Sequence, residues 1–194
     1  MKRLIISMAL LLAVTLTAKA QISQGVMLVG GSLGFQTVKE KYESGSVSVD
    51  AGSGTGFSLA PQFGYFFIDN LAGGVVLDFA SSSFEPDGGE KQTSTDITFG
   101  PFARYYFGNI YAHAQIGFGS SKFDFGGGSE SKYSLSQWGI GAGYAAFLNS
   151  SVAIEPMIMY QSHTETDKDS DPEIKDKFSG IGIRIAFQIY LGRE

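Results

Sequence analysis

"APQFGYFFIDNLAGGVVLDF", Ala60 to Phe79, bunches Tyr65, Phe66 and Phe67 just ahead of Asp69-Asn70. It also carries Pro61 inside an alternating run. A second stretch has the same plan. "GPFARYYFGNIYAHAQIGF", Gly100 to Phe118, sets Pro101, then Tyr105, Tyr106 and Phe107, ahead of a turn at Asn109. From Gly56 into the first stretch, Phe57, Leu59, Pro61, Phe63, Tyr65 and Phe67 alternate with Gly56, Ser58, Ala60, Gln62, Gly64 and Phe66. Successive side chains of a strand point to opposite faces, so one face is bulky and apolar and the other small or polar.

The alternation repeats along the chain. Leu71 to Phe79 continues it, as do Ile97 to Phe107, Ile110 to Phe118, Trp138 to Leu148, Val152 to Tyr160 and Ile181 to Leu191. Val26 to Thr37 is a less regular first member. These are eight strands of about ten or more residues. Short turns fall near Ile68–Asn70, Gly108–Asn109 and Asn149–Ser151. Long polar loops are expected near Lys39–Ser53, Glu85–Ser94, Asp124–Lys132 and Thr166–Asp176. Asn70, Asn109 and Asn149 recur once per two strands, a hairpin repeat that fits an up-and-down barrel rather than four-stranded propeller blades.

The bulk numbers narrow the class. The chain has 194 residues and no cysteine. "MKR", the apolar run Leu4–Leu16 and the small residues Ala18 and Ala20 read as a secretory signal peptide over residues 1–20. The expected organisation is therefore a signal peptide at 1–20 and a single barrel domain at 21–194. Removal of Lys2, Arg3 and Lys19 takes the formal charge from −5 to −8, which disfavours nucleic acid and other anionic partners.

A closed eight-stranded barrel has room inside for side chains only. Small residues with a few long polar ones can fill that space. The bulky apolar face then has no core to meet and must face hydrocarbon. A soluble ligand-binding barrel would place the apolar face inside, so the inward face discriminates. An open sheet edge in lipid would strand polar backbone groups, which is why the barrel must close. The fold class is thus an all-β, eight-stranded antiparallel up-and-down transmembrane β-barrel. Aromatic girdles are expected from Phe57, Tyr65, Phe67, Tyr105, Phe107, Trp138, Tyr144 and Tyr160. Phe57 and Tyr65 lie eight residues apart on one face. At a tilt near 40° that is about 20 Å of height, close to the ~25 Å apolar band of such barrels.

These features, with "LVGGSLGF" at the first strand and "GIGIRIAFQIYLG" at the last, resemble the small outer-membrane β-barrel family, its OmpX-like and OmpA-transmembrane-like members. The resemblance covers nearly all of the chain after residue 20. It implies insertion by the barrel assembly machinery and contact with outer-membrane lipid and lipopolysaccharide, as a monomer. It implies short turns and termini in the periplasm and long loops outside. Many such barrels end in an aromatic residue. Here Gly192-Arg193-Glu194 follows Leu191, with Phe187 and Tyr190 nearby.

Within the barrel, Asp78, Arg104, Glu155 and Arg184 share the inward parity with Gln62, Gln115 and Gln188. Buried charges must pair. Arg184 and Glu155, on the last two strands, are one pair to test. The polar set either fixes a static core or lines a narrow, low-conductance pore. His113 falls with the same interior set.

Other chemistry is weaker. Ser162, His163 and Glu165 are the residue types of a lipid-hydrolysing triad, but Ser162 and His163 face opposite ways on a strand. No enzyme activity is expected. Asp167, Asp169 and Asp171 open like a calcium loop, yet Pro172 and three interleaved lysines break it. "GIGAG" and "GFGSS" miss the nucleotide-binding spacing, so no cofactor or metal site is expected. The remaining expectations are a structural or surface-interaction role, with pore and loop-borne adhesin as alternatives. Pro61, Pro101 and Pro156 should each cause a bulge or a missing ladder bond.

Overall fold

The computed structural model of the protein describes residues 22–44, 47–86, 88–126, 130–167 and 173–193. The expected signal peptide and the calcium-like positions Asp169 and Asp171 lie outside the described residues. The strands are β1 (Met27–Ser44), β2 (Val47–Ile68), β3 (Leu71–Pro86), β4 (Gln92–Phe107), β5 (Ile110–Asp124), β6 (Glu130–Tyr144), β7 (Ala146–Phe147), β8 (Val152–Asp167) and β9 (Ile174–Leu191). All pair antiparallel with their neighbours. The sheet runs β6-β5-β4-β3-β2-β1-β9-β8, and β6 also pairs with β8. That last pairing closes the ring.

Nine elements make eight staves, because β6 and β7 are one strand. β6 pairs with β8 down to Gly143↔Met157. β7 resumes in the same register at Ala146↔Ile154. The break between them lies opposite Glu155 and Pro156. The other prolines act alike. The β2–β3 ladder jumps from Leu59↔Phe79 to Gln62↔Val76, skipping Pro61. The β4–β5 ladder jumps from Phe99↔Phe118 to Phe102↔Gln115, skipping Pro101. Register is unchanged across each gap, so all three are missing rungs rather than bulges. Each proline keeps its partner on the other side: Gly31, Val75 and Ile185. Lacking N–H, proline can pair fully on one side only.

The pairings fix the barrel's geometry. From Ile185 on β9, pairing leads through Leu33, Leu59, Phe79, Ile97, Ser120, Ser134 and Thr166 back to Lys175 on β9. The path returns ten residues from its start, at 175 rather than 185. Eight strands with a shear of ten tilt by about 41° and leave a backbone radius of about 8 Å. Only side chains fit inside.

Burial follows the predicted parity. On β4 the sequence Thr98, Phe102, Arg104, Tyr106 is buried while Ile97, Phe99, Ala103, Tyr105 and Phe107 are exposed. On β5 Tyr111, His113 and Gln115 are buried between exposed Ile110, Ala112, Ala114 and Ile116. Leu77, Trp138, Ile140, Ile158 and Phe187 are among many exposed large apolar side chains. So continuous an apolar outer surface marks a lipid-facing wall. Of the girdle residues, Phe57, Tyr65, Phe67, Tyr105, Phe107, Trp138 and Tyr160 are exposed on that wall. Tyr144 differs: it is half-buried and accepts from Asn109 Nδ2 at 3.3 Å.

The first expected long loop is largely strand, and the other three are shortened by strand at both ends. β1 and β2 stay paired out to Ser44↔Val47. β3 and β4 run to Pro86 and from Gln92. Likewise β5 and β6 run to Asp124 and from Glu130, and β8 and β9 to Asp167 and from Ile174. Beyond the lipid both faces meet water, so these polar segments extend as ribbons without any alternation to reveal them.

Candidate functional site

The lumen is the site, and it is built in layers from the short-turn end. The turn Asp69-Asn70 works because Asn70 takes a left-handed conformation, φ 64°, which Asn tolerates better than most residues. That turn also holds the segment before β1. Ile22 N–H donates to Asn70 Oδ1 at 3.2 Å, Asn70 N–H to the Ile22 carbonyl at 2.9 Å, and Gln24 N–H to Asp69 Oδ1 at 2.8 Å. Ile22 is thereby fully buried with Phe66, Tyr106, Tyr111 and Tyr190. The Tyr106 and Tyr190 hydroxyls are 2.9 Å apart. Just outside this floor, Arg193 stacks on Phe147 at 3.6 Å and donates to the Ser150 carbonyl at 2.9 Å.

Above the floor sits the more buried ion pair. Arg104 Nη1 donates to Glu155 Oε2 at 2.7 Å, with side-chain exposures of 2% and 0%. The Tyr190 hydroxyl donates to Glu155 Oε1. Arg104 also reaches Tyr106 Oη at 3.2 Å and lies over the Tyr111 ring at 4.4 Å. Burying such a pair is tolerated only when the remaining donors and acceptors are also met, and Tyr106, Tyr190, His113 and Gln62 meet them.

A link leads upward. Arg104 Nε donates to His113 Nδ1 at 3.3 Å, so the proton of this imidazole sits on Nε2. Nε2 then donates to Gln115 Oε1 at 3.1 Å. Gln115 Nε2 donates to Asp78 Oδ2 at 3.1 Å, as does Gln137 Nε2 at 2.9 Å. Asp78 Oδ1 accepts from Arg184 Nη1 at 3.0 Å, and Arg184 Nη2 donates to Gln161 Oε1 at 3.2 Å. One hydrogen-bonded column thus runs Glu155–Arg104–His113–Gln115–Asp78–Arg184–Gln161. Its charges balance, two bases against two acids.

All four charged residues flagged by parity are in the column, and so is Gln115. The pairing differs from the Arg184–Glu155 expectation: Glu155 takes Arg104 and Arg184 takes Asp78. Met157, not Glu155, sits opposite Arg184 in the β8–β9 ladder. Glu155 lies two residues toward the floor, where Arg104 reaches it from across the lumen. Gln62 is peripheral, its Oε1 3.5 Å from Arg104 Nη2. Gln188 is buried with neither amide atom hydrogen-bonded among the described residues. Tyr106, Tyr111, Tyr190, Gln137 and Gln161 join the site without having been singled out. Their inward parity was the available signal.

Above Arg184 the lumen widens into a cavity of about 410 Å³. His163 lines it, whereas Ser162 lies opposite Trp138 on the outer face. The two cannot share a nucleophilic site. Among the described residues no group of three or more His, Asp or Glu side chains is placed to hold a metal.

A family match agrees with this architecture. The family described as "Outer membrane protein beta-barrel domain" matches residues 6–188. No curated protein matches. Among solved structures, the translocator domain of autotransporter NalP from Neisseria meningitidis is 14% identical, over 95% of this chain and 70% of that one, at a TM-score of 0.44. The outer membrane protein AlkL, solved by solid-state NMR in DMPC lipid bilayers, is 15% identical over 88% and 90%, at 0.42. The outer membrane protein OprG from Pseudomonas aeruginosa is 10% identical over 87% and 94%, at 0.39.

Proposed function

The chain belongs to the outer membrane protein β-barrel family, and on that premise we propose that it is a sealed barrel serving as a structural and surface-presenting element of the outer membrane. The observation that carries this reading is the column from Glu155 to Gln161 standing on the tyrosine floor. A lumen about 8 Å in backbone radius, filled by salt-bridged side chains, leaves no continuous water path. General porins reach an open channel only with about 16 strands.

The surplus strand length supports the surface role. About 9–11 residues cross a bilayer, yet β2 has 22 and β1 has 18. In this reading residues 1–20 direct export and are removed, the short turns and termini face the periplasm, and the hairpin ribbons project outward. Lipid and lipopolysaccharide surround a monomer inserted by the assembly machinery.

Planar-bilayer recording of the refolded protein tests the seal. The expected trace is flat for the wild-type barrel. A steady ohmic conductance would replace the sealed barrel with a narrow pore.

A further inference from the structure

The barrel wall has a slit. β1 and β9 pair only from Met27↔Leu191 to Leu33↔Ile185. Above that, β1 pairs with β2 alone, as far as Ser44, and β9 with β8 alone, down to Ile174. The two edges have parted. Exposure shows it independently. Ile181 and Ile183 are 77% and 76% exposed and Phe35 is 75%, against 68%, 57% and 51% for Leu33, Ile185 and Phe187 in the paired part. A Cβ placed at Gly180 or Gly182 would meet nothing within 4 Å.

The slit begins inside the membrane. Each residue climbs about 2.5 Å at a tilt of 41°. Ile185 lies six residues above Leu191, which marks the short-turn edge of the apolar wall. The parting therefore starts about 15 Å up a band about 25 Å tall. Its lowest ~10 Å, up to Ile181, faces hydrocarbon. Irregular or unpaired backbone at that depth is tolerated where it lines a cavity, and a cavity is what lies behind it. Gly34, Phe35 and Arg184 border both the slit and the cavity of about 410 Å³.

The cavity is polar inside and apolar at its door. Asp96, Gln161, His163, Ser58 and Ser82 line it beside Arg184. Arg184 is already committed to Asp78 and Gln161. Asp96 adds a further negative group, contacted by Ser94 Oγ at 3.5 Å and close enough to His163 to interact with it electrostatically. The buried Gln161 Nε2 has no hydrogen-bond partner among the described residues. The set offers hydroxyls, an amide donor and the Asp96 carboxylate, which suit an uncharged head bearing hydroxyl groups and oppose an anionic one. Phe35, Ile181 and Ile183 suit an alkyl tail.

We propose that the slit between β1 and β9 admits a single-chain neutral amphiphile from the outer leaflet, its hydroxylated head in the cavity above Arg184 and its tail between Phe35 and Ile183. This rests on the membrane-barrel reading. The head would also meet the unpaired backbone groups along both edges, which is why a lipid rather than a strand of another chain is the occupant that satisfies slit and cavity together.

The test uses the full barrel refolded into phospholipid nanodiscs and a monoacylglycerol with a photoreactive diazirine on its head. Wild type should be labelled within residues 160–166, where Gln161 and His163 line the cavity. Extending the β1–β9 register puts residue 35 opposite 183. Among the described residues there is no cysteine, so Phe35→Cys with Ile183→Cys gives a staple closed by oxidation alone. Labelling at 160–166 should be lost on oxidation and return on reduction. Ser82→Trp, which fills the cavity and leaves the slit open, should lose it as well. The same probe built on a fatty acid carboxylate should label 160–166 less than the glycerol form.

Labelling that ignores both the staple and Ser82→Trp, a preference for the carboxylate probe, or a slit-dependent crosslink between two copies of the chain would each overturn the proposal. A diazirine on a plain alkane reports separately on the barrel. If it labels the outer wall around Leu77 and Ile140 while 160–166 stays unlabelled by the glycerol probe, the amphiphile site fails and the membrane reading stands. If the alkane labels no outer-wall peptide, both fail.

Discussion

The two ends of the barrel solve opposite problems. At the short-turn end β1 and β9 are paired with each other, the residues before β1 are tied to Asn70, and the core contains Tyr106, Tyr111 and Tyr190 around Arg104 and Glu155. At the hairpin end β1 and β9 separate, and the ion pair beneath the cavity is partly open, with Arg184 and Asp78 at 25% and 15% exposure. The lower charges are deprived of water and must be matched by protein. The upper ones retain some solvent and are less constrained. One chain thus carries a closed plug and an open cup, and the boundary is the level of Asp78 and Arg184.

This contrast ranks the expected effects of mutation. Glu155→Leu should be the most damaging. It leaves Arg104 buried without its acid, and breaking such a pair costs about 3–5 kcal/mol. Urea titration of refolded protein in lipid vesicles would read it. Leu77→Arg comes next, because a cation at the lipid midplane costs about 2–4 kcal/mol. An unchanged midpoint there would reverse the inside and outside of the barrel. Asp78→Asn keeps a polar group at a partly hydrated position. It should lose about 1–2 kcal/mol, since a hydrogen bond to a charged group is exchanged for a neutral one. Pro156→Ala sits at the bottom of the scale. It should join β6 to β7 through residues 144–146 and slow amide exchange there, with a stability change within about 1 kcal/mol.

Much of the fold was legible because lipid on one side and a crowded lumen on the other impose strict alternation. Ile110 to Phe118 is apolar-out and polar-in at every position up to Gln115, and the structure keeps that parity. The prolines could also be read: three lipid-facing prolines, three missing rungs. The ribbons beyond the membrane were not legible. From Gln92 to Asp96 every residue is half-buried, with no alternation, so nothing in the sequence distinguishes strand from loop. The partners within the lumen were hidden for a different reason. Parity gives the face of a residue but not its height, and height depends on a shear set by every hairpin together. Arg184 and Asp78 are 106 residues apart. Only the closed geometry brings them level. The slit was invisible for the same reason, because the alternation of Ile181, Ile183 and Ile185 runs unbroken through the place where pairing stops.

The claim that the lower lumen is a matched, dehydrated plug is tested most directly by a double-mutant cycle on Arg104 and Glu155. Arg104→Met, Glu155→Leu and the double variant would be compared by refolding titration, with Arg184→Met and Glu155→Leu as the reference cycle. The account predicts a coupling of about 1–3 kcal/mol for Arg104 with Glu155, and a smaller one for Arg184 with Glu155. Additive losses for Arg104 and Glu155, within about 0.5 kcal/mol, would contradict it.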